Sequence, residues 1–175
     1  MKRLAAIGTA LLMAAACGSD GPTTPTNTNT GPIVFTSQLS AGNEVPPVTN
    51  GDANGRGQAT ITLNVPRDAT TGAVTGAGTV TFQATVLGFP PGAVIRAADI
   101  HTGAAGTAGA ILVNSTLSAA TAITLGDGTG TLNLPNAPIT QDQATRIVAN
   151  PAGFYFNLHT SLNPDGAIRG QLARQ

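Results

Sequence analysis

The chain has 175 residues, of which only 9% are charged, and its eight Lys and Arg balance eight Asp and Glu to leave no formal net charge. That length suits one domain with accessory segments rather than two, and the lack of a basic excess argues against nucleic acid as a partner. With 22 Gly, no Trp and much Thr, Val and Asn, the composition favours strands and turns over charged helices.

The first segment, residues 1–16, opens on Lys2 and Arg3, runs apolar from Leu4 to Ala16 and ends in small residues. It is too short to span a bilayer and has the form of a secretory signal peptide. The chain's one cysteine, Cys17, follows in "MAAAC". This resembles the bacterial lipobox, with Ala14 where leucine is usual, and implies lipidation at Cys17 and a membrane partner through that N-terminal lipid. Gly18 rather than Asp comes next, which points to the outer membrane or cell surface of the envelope. An ordinary signal cleaved before a free thiol is the alternative. The rest of residues 17–32, "GSDGPTTPTNTNTGP", is a polar segment broken by Pro and Gly and is expected to be a flexible linker.

The folded domain is placed at 33–175. "IVFTSQLSA" from Ile33 begins a β pattern, and "GNEVPPV" is an extended edge or loop. In "GQATITLNV", Ile61, Leu63 and Val65 alternate with polar partners. "VTGAGTVTFQATVLG", "VIRAADIHT", "AILVNSTL", and "TAITL" with "GTLNL" around Gly126-Asp127-Gly128 add further strands. The sum is an all-β fold, a Greek-key-like antiparallel sandwich of about eight strands. One short connecting helix is expected in "ITQDQATRIVANP". Thr140 and Gln143 there have the spacing of a capping box, and Asn150-Pro151 stops the helix.

Near the C-terminus, Asn163-Pro164-Asp165-Gly166 has the residue types of a type I turn followed by a left-handed glycine. A hairpin closed there places Leu162 opposite Ile168, Ser161 opposite Arg169 and His159 opposite Gln171. Phe154, Phe156, Leu158, Leu162, Ile168 and Leu172 then share one face, and Tyr155, Asn157, His159, Ser161, Arg169 and Gln171 the other. His159 and Arg169 become diagonal neighbours. In "VIRAADIHTG", alternation groups Asp99 and His101 with Ile95 and Ala97, a face of mixed character. Spacing by two still lets Asp99 and His101 address one ligand.

"FTSQLSAGNEVPPV", "AADIHTGAAGTAGAILVNSTL" and "GFYFNLHTSLNPDGAIRGQL", in this order, resemble the chordin-type domain, CHRD, over nearly all of Ile33–Gln175. The family's pattern near the middle motif is A-H-I-H-G-P; here Asp99 stands where the first histidine is usual, and Thr102 precedes Gly103. The resemblance implies a module without naming a reaction. A weaker similarity is to copper/zinc superoxide dismutase, through the order Asp99-x-His101, His159, Arg169. That enzyme needs several more histidines and a disulfide, and a domain with two histidines and no cysteine does not meet the requirement. Dismutase activity is rejected.

Two accounts of the polar residues stand side by side. In one, Asp99, His101 and His159, with Glu44 as a possible fourth, surround a copper, zinc or nickel ion, and Arg169 binds an anion or orients a carboxylate. In the other, these groups form hydrogen bonds and ion pairs that fix strand ends, with Glu44 pairing Arg169. No G-x-S-x-G elbow, phosphate loop or retained cysteine nucleophile is present, and "GDGTGTLNL" fits a turn better than a calcium loop. The expectation is a non-enzymatic envelope module of monomeric form, without an obligate cofactor, that binds an envelope or extracellular protein or glycan. A metal-binding protein and a purely structural domain are the alternatives.

Overall fold

The computed structural model describes residues 30–175; the signal segment, Cys17 and most of the linker lie outside the described residues. Ten strands form in the order β1 (Ile33–Ser40), β2 (Arg56–Asn64), β3 (Gly78–Leu87), β4 (Ala93–Thr102), β5 (Ile111–Asn114), β6 (Ile123–Leu125), β7 (Gly130–Ile139), β8 (Phe154–Thr160), β9 (Ile168–Gln171) and β10 (Ala173–Arg174). Among the described residues one α-helix, α1 (Gln141–Ala149), lies between β7 and β8. The fold is thus all-β and antiparallel with a single helix. Its strands join in one continuous ladder, β5-β4-β8-β9-β1-β2-β3-β7, with β6 on β4 and β10 on β1. The ladder curls over on itself. Phe82 of β3 stacks on Phe156 of β8 with ring centroids 5.3 Å apart, although β9, β1 and β2 separate the two strands in the sheet.

Period-two alternation builds the interior. Phe35, Ile61, Leu63, Val80, Phe82, Ile100, Phe156, Leu158 and Ile168 are all buried in one cluster, and their removal from water is the main favourable term of folding. The terminal strands β5 and β7 approach without pairing. β7 carries Pro135 and Pro138, which cannot donate to a further strand and so blunt that edge. Helix α1 packs its apolar face into the core. The Thr140 side chain accepts from the Gln143 amide at 3.2 Å and the Gln143 side chain accepts from the Thr140 amide at 2.8 Å, while Ala144 and Ile147 are fully buried.

The C-terminal hairpin is displaced from the expected register. Leu158, not Leu162, pairs with Ile168; Asn157 meets Arg169, and Tyr155 takes the place opposite Gln171. The turn itself forms, with the Gly166 amide donating to the Asn163 carbonyl at 3.2 Å and Gly166 at φ +142. It sits at the tip of a wider loop, 161–167, whose fold is set by buried Asp52. That carboxylate accepts from the Thr160 hydroxyl and from the Asn163 amide side chain, each at 2.6 Å. Leu162 is consequently exposed rather than part of the core. Ser161, expected opposite Arg169, lies in that loop as well; the shift is four residues, an even number, so the residues that stay in the two strands keep their predicted faces.

Candidate metal centre

Strand β4 resolves its mixed face with a bulge. Ile95 pairs with Thr160, but Ala97 pairs with His159, so the extra residue between them moves Ile95 to the inner face with Ala98 and Ile100. Ala97, Asp99 and His101 are left pointing outward. Across the ladder Asp99 lies opposite Asn157 and His101 opposite Tyr155, and Asn157 lies opposite Arg169. Three adjacent strands therefore present Asp99, His101, Tyr155, Asn157, His159 and Arg169 on one outer surface. The surface is not solvated: Asp99 is 3% exposed, His101 and His159 are 7%, and Arg169 is 2%.

Three loops roof the cluster. Loop 41–55 brings Glu44, and the Asn43 carbonyl accepts from Arg169 Nε at 2.6 Å. From loop 103–110, the Gly109 carbonyl lies 2.9 Å from His101 Nδ1, the Thr107 carbonyl accepts from Arg169 Nη1 at 3.0 Å, and the Gly109 amide donates to the Tyr155 hydroxyl at 3.3 Å. Loop 161–167 places the Pro164 carbonyl 3.0 Å from His159 Nδ1. Gly166 seals the roof, because a Cβ built there would stand 2.7 Å from both Asn157 Nδ2 and Glu44 Oε2.

These contacts fix the tautomers. A carbonyl oxygen only accepts, so each imidazole carries a proton on Nδ1 and turns Nε2, open to a metal or a second proton, inward. Asp99 Oδ2 lies 3.0 Å from His159 Nε2 and 3.9 Å from His101 Nε2. The ligand atoms of all three residues fall within 4.8 Å of one another. His101 Nε2 has no hydrogen-bonding partner and His159 Nε2 faces only the Asp99 carboxylate; a lone pair facing a carboxylate is repulsive unless a proton or a cation stands between them. Neighbouring donors of a tetrahedral zinc site with bonds of about 2.0 Å are separated by about 3.3 Å, a value the two Asp99 distances bracket. The carbonyls behind both rings are the supporting partners that metal-ligating histidines use.

Electrostatics separate the two rings. Burial pushes His101 down, against the raising pull of the Gly109 carbonyl and Asp99. Burial also opposes charge on His159, but its contact with the Asp99 carboxylate, the Pro164 carbonyl and the Glu44 charge outweigh that effect and hold its pKa above the ordinary imidazole value. Glu44 is pushed up to about 7 by burial, with Arg169 and His159 pulling the other way.

Of the residues singled out in the sequence, Asp99, His101 and His159 converge. Glu44 does not join their group; its Oε2 is 4.0 Å from Arg169 Nε, a charge contact too long for a hydrogen bond. Arg169, diagonal to His159 as expected, stacks on the Tyr155 ring with its guanidinium carbon 4.4 Å from the centroid. Tyr155 in turn stacks on His101 at 5.0 Å. Tyr155 and Asn157 were signalled in the sequence by their parity with His159. The carbonyls of Gly109 and Pro164 had no such signal, because every residue type supplies one. Asp127 caps its own turn, accepting from the Thr129 amide at 3.0 Å and hydroxyl at 2.7 Å.

No curated protein and no solved structure gives a match to this chain. The family model of the CHRD domain matches residues 35–172, which takes in β1, both histidine strands and the C-terminal hairpin, and the chain therefore belongs to the CHRD domain family.

Proposed function

We propose that this protein is a cell-envelope lipoprotein, tethered to the membrane through Cys17, whose CHRD domain is a non-enzymatic binding module for a divalent transition metal. Asp99, His101 and His159 are its ligands. The observation that carries this reading is the orientation of the two histidines: both Nδ1 atoms are committed to backbone carbonyls, and both Nε2 atoms face one buried carboxylate, at 3.0 and 3.9 Å. Two imidazole nitrogens and a carboxylate oxygen suit copper or zinc. Without metal, a proton on His159 Nε2, favoured by the raised pKa of that ring, shields the nitrogen from Asp99, and metal uptake exchanges that proton for a cation.

Elemental analysis of the purified protein, with copper and zinc titrations, tests the reading. One equivalent bound by the wild type and lost in the double variant His101→Ala, His159→Ala is the expected result. No binding at micromolar metal would overturn it and leave a structural role for the cluster. A second reading, recognition of an envelope protein or glycan, is favoured by a groove of about 620 Å³ bordered by Gln38, Glu44, Val45, Pro47, Gly106 and Arg169, a size within the range of ligand sites. A pull-down from envelope extract that retains no specific partner would count against it.

A further inference from the structure

Six buried side-chain atoms lack a hydrogen-bonding partner among the described residues, and five of them belong to this one cluster: His101 Nε2, His159 Nε2, Asn157 Oδ1, Glu44 Oε1 and Arg169 Nη2. Buried polar atoms are nearly always satisfied, so the nitrogens among them mark a place where something other than protein belongs; His159 Nε2 has only the Asp99 carboxylate beside it, and the acceptors Asn157 Oδ1 and Glu44 Oε1 play no part in holding an anion. A metal ion accounts for the two Nε2 atoms. It does not account for Arg169 Nη2, a donor that a cation cannot satisfy.

The guanidinium is held in place for an acceptor. Its Nε and Nη1 are committed to the Asn43 and Thr107 carbonyls, and its plane rests on Tyr155. One edge of the fork, Nη2, is left. Charge points the same way. A divalent ion between Asp99 and two neutral imidazoles keeps one positive charge, and buried Arg169 adds another. Glu44, 4.0 Å from the arginine, offsets at most one of them. An uncompensated charge out of water is costly, and three protein donors leave the metal at least one open position.

We infer that the metal-loaded site binds a small monovalent anion, held between the open coordination position of the ion and Arg169 Nη2. The inference rests on the metal reading above. Asn157, which lies between Asp99 and Arg169 in the ladder, connects the two halves of this site. Burial of the whole cluster restricts the ligand to an anion of a few atoms.

Azide is a suitable probe, because its binding to copper(II) produces a charge-transfer absorption and alters the electron paramagnetic resonance spectrum. The full chain, loaded with one equivalent of copper(II), is titrated with azide alongside Arg169→Gln and Glu44→Gln. We expect saturable binding of one azide by the wild type, at least tenfold weaker binding by Arg169→Gln with copper retained, and severalfold tighter binding by the near-isosteric Glu44→Gln, which removes a competing negative charge. Should Arg169→Gln fail to fold, the wild type and Glu44→Gln still decide the matter. Copper uptake without a spectral response to azide overturns the anion site alone, as does equal azide affinity in wild type and Arg169→Gln, or weaker binding by Glu44→Gln. Failure to take up copper removes both the metal site and the anion site.

Discussion

Replacing Glu44 with glutamine isolates the energetic consequence of burying a carboxyl beside the histidine cluster. Glu44 is 7% exposed, and burial raises its pKa from 4.5 to about 7 despite Arg169 and His159 nearby. A raised folded-state pKa means that the folded protein binds the proton more tightly than the unfolded chain does. The associated stability is complete below pH 4.5 and is lost as pH rises through about 7. At about 1.4 kcal/mol per unit, the full loss is about 3 kcal/mol. The carboxyl borders the groove beside Arg169, where solvent screens part of the effect, and we expect about 2 kcal/mol. Glutamine cannot ionise and so keeps the low-pH condition throughout. In metal-free protein the melting temperature of Glu44→Gln should rise relative to wild type by about 6 °C between pH 5 and pH 8, taking about 3 °C per kcal/mol for a domain of this size. His159, also raised, contributes with the same sign and His101, lowered, with the opposite sign, but both are present in each protein and cancel to first order in the comparison. A difference between the two proteins that stays constant over this range would refute the assignment of a buried, proton-retaining carboxyl.

Asp99→Asn removes the carboxylate that both histidines face; copper or zinc affinity should fall at least 100-fold, and the His159 titration followed by NMR should move below the ordinary imidazole value because burial is then less opposed. Metal uptake by the wild type should weaken about tenfold per pH unit below the His159 pKa, since Nε2 must shed its proton to bind, and titrations at successive pH values that return one affinity would contradict this. Gly166→Ala forces a side chain into a position with φ +142 and 2.7 Å from Asn157 Nδ2 and Glu44 Oε2; a loss of about 2–3 kcal/mol in urea denaturation is expected, accompanied by weaker metal binding as loop 161–167 and its Pro164 carbonyl shift.

The strands, the capped helix and the two faces of the hairpin were legible because each rests on a local rule. Alternation assigns Ile61, Leu63 and Phe156 to the interior, and the spacing of Thr140 and Gln143 makes a capping box with no help from the rest of the chain. Register was not legible in the same way. Asn163-Pro164-Asp165-Gly166 does form a turn, but where the strands close depends on Asp52, 108 residues before Thr160 in the chain, and no local pattern announces that bond. The bulge near Arg96 was hidden for a similar reason: it shows only as the misfit of Ile95 among Ala97, Asp99 and His101. The candidate site lay between these extremes. Parity put Asp99 with His101 and His159 with Arg169, yet their meeting required β4 and β8 to be neighbours, a fact of topology. The burial of the site was invisible, because a polar face reads as a solvated one until the roofing loops are placed.

Asp99 shows how one departure from the family pattern changes what the cluster can do. A histidine at this position would give three imidazoles, and a divalent ion among them would keep both positive charges beside buried Arg169. The carboxylate removes one of those charges and also serves the metal-free protein. With Oδ2 3.0 Å from His159 Nε2, it stabilises a protonated ring whose charge burial disfavours, and the cluster remains electrostatically tolerable when no ion is present. In the proposed metal site the same oxygen receives the ion once that proton leaves. On this argument the aspartate makes the proton and the divalent ion alternative occupants of one position, coupling metal affinity to pH through His159 and leaving a residual positive charge that Glu44 diminishes and an anion at Arg169 completes.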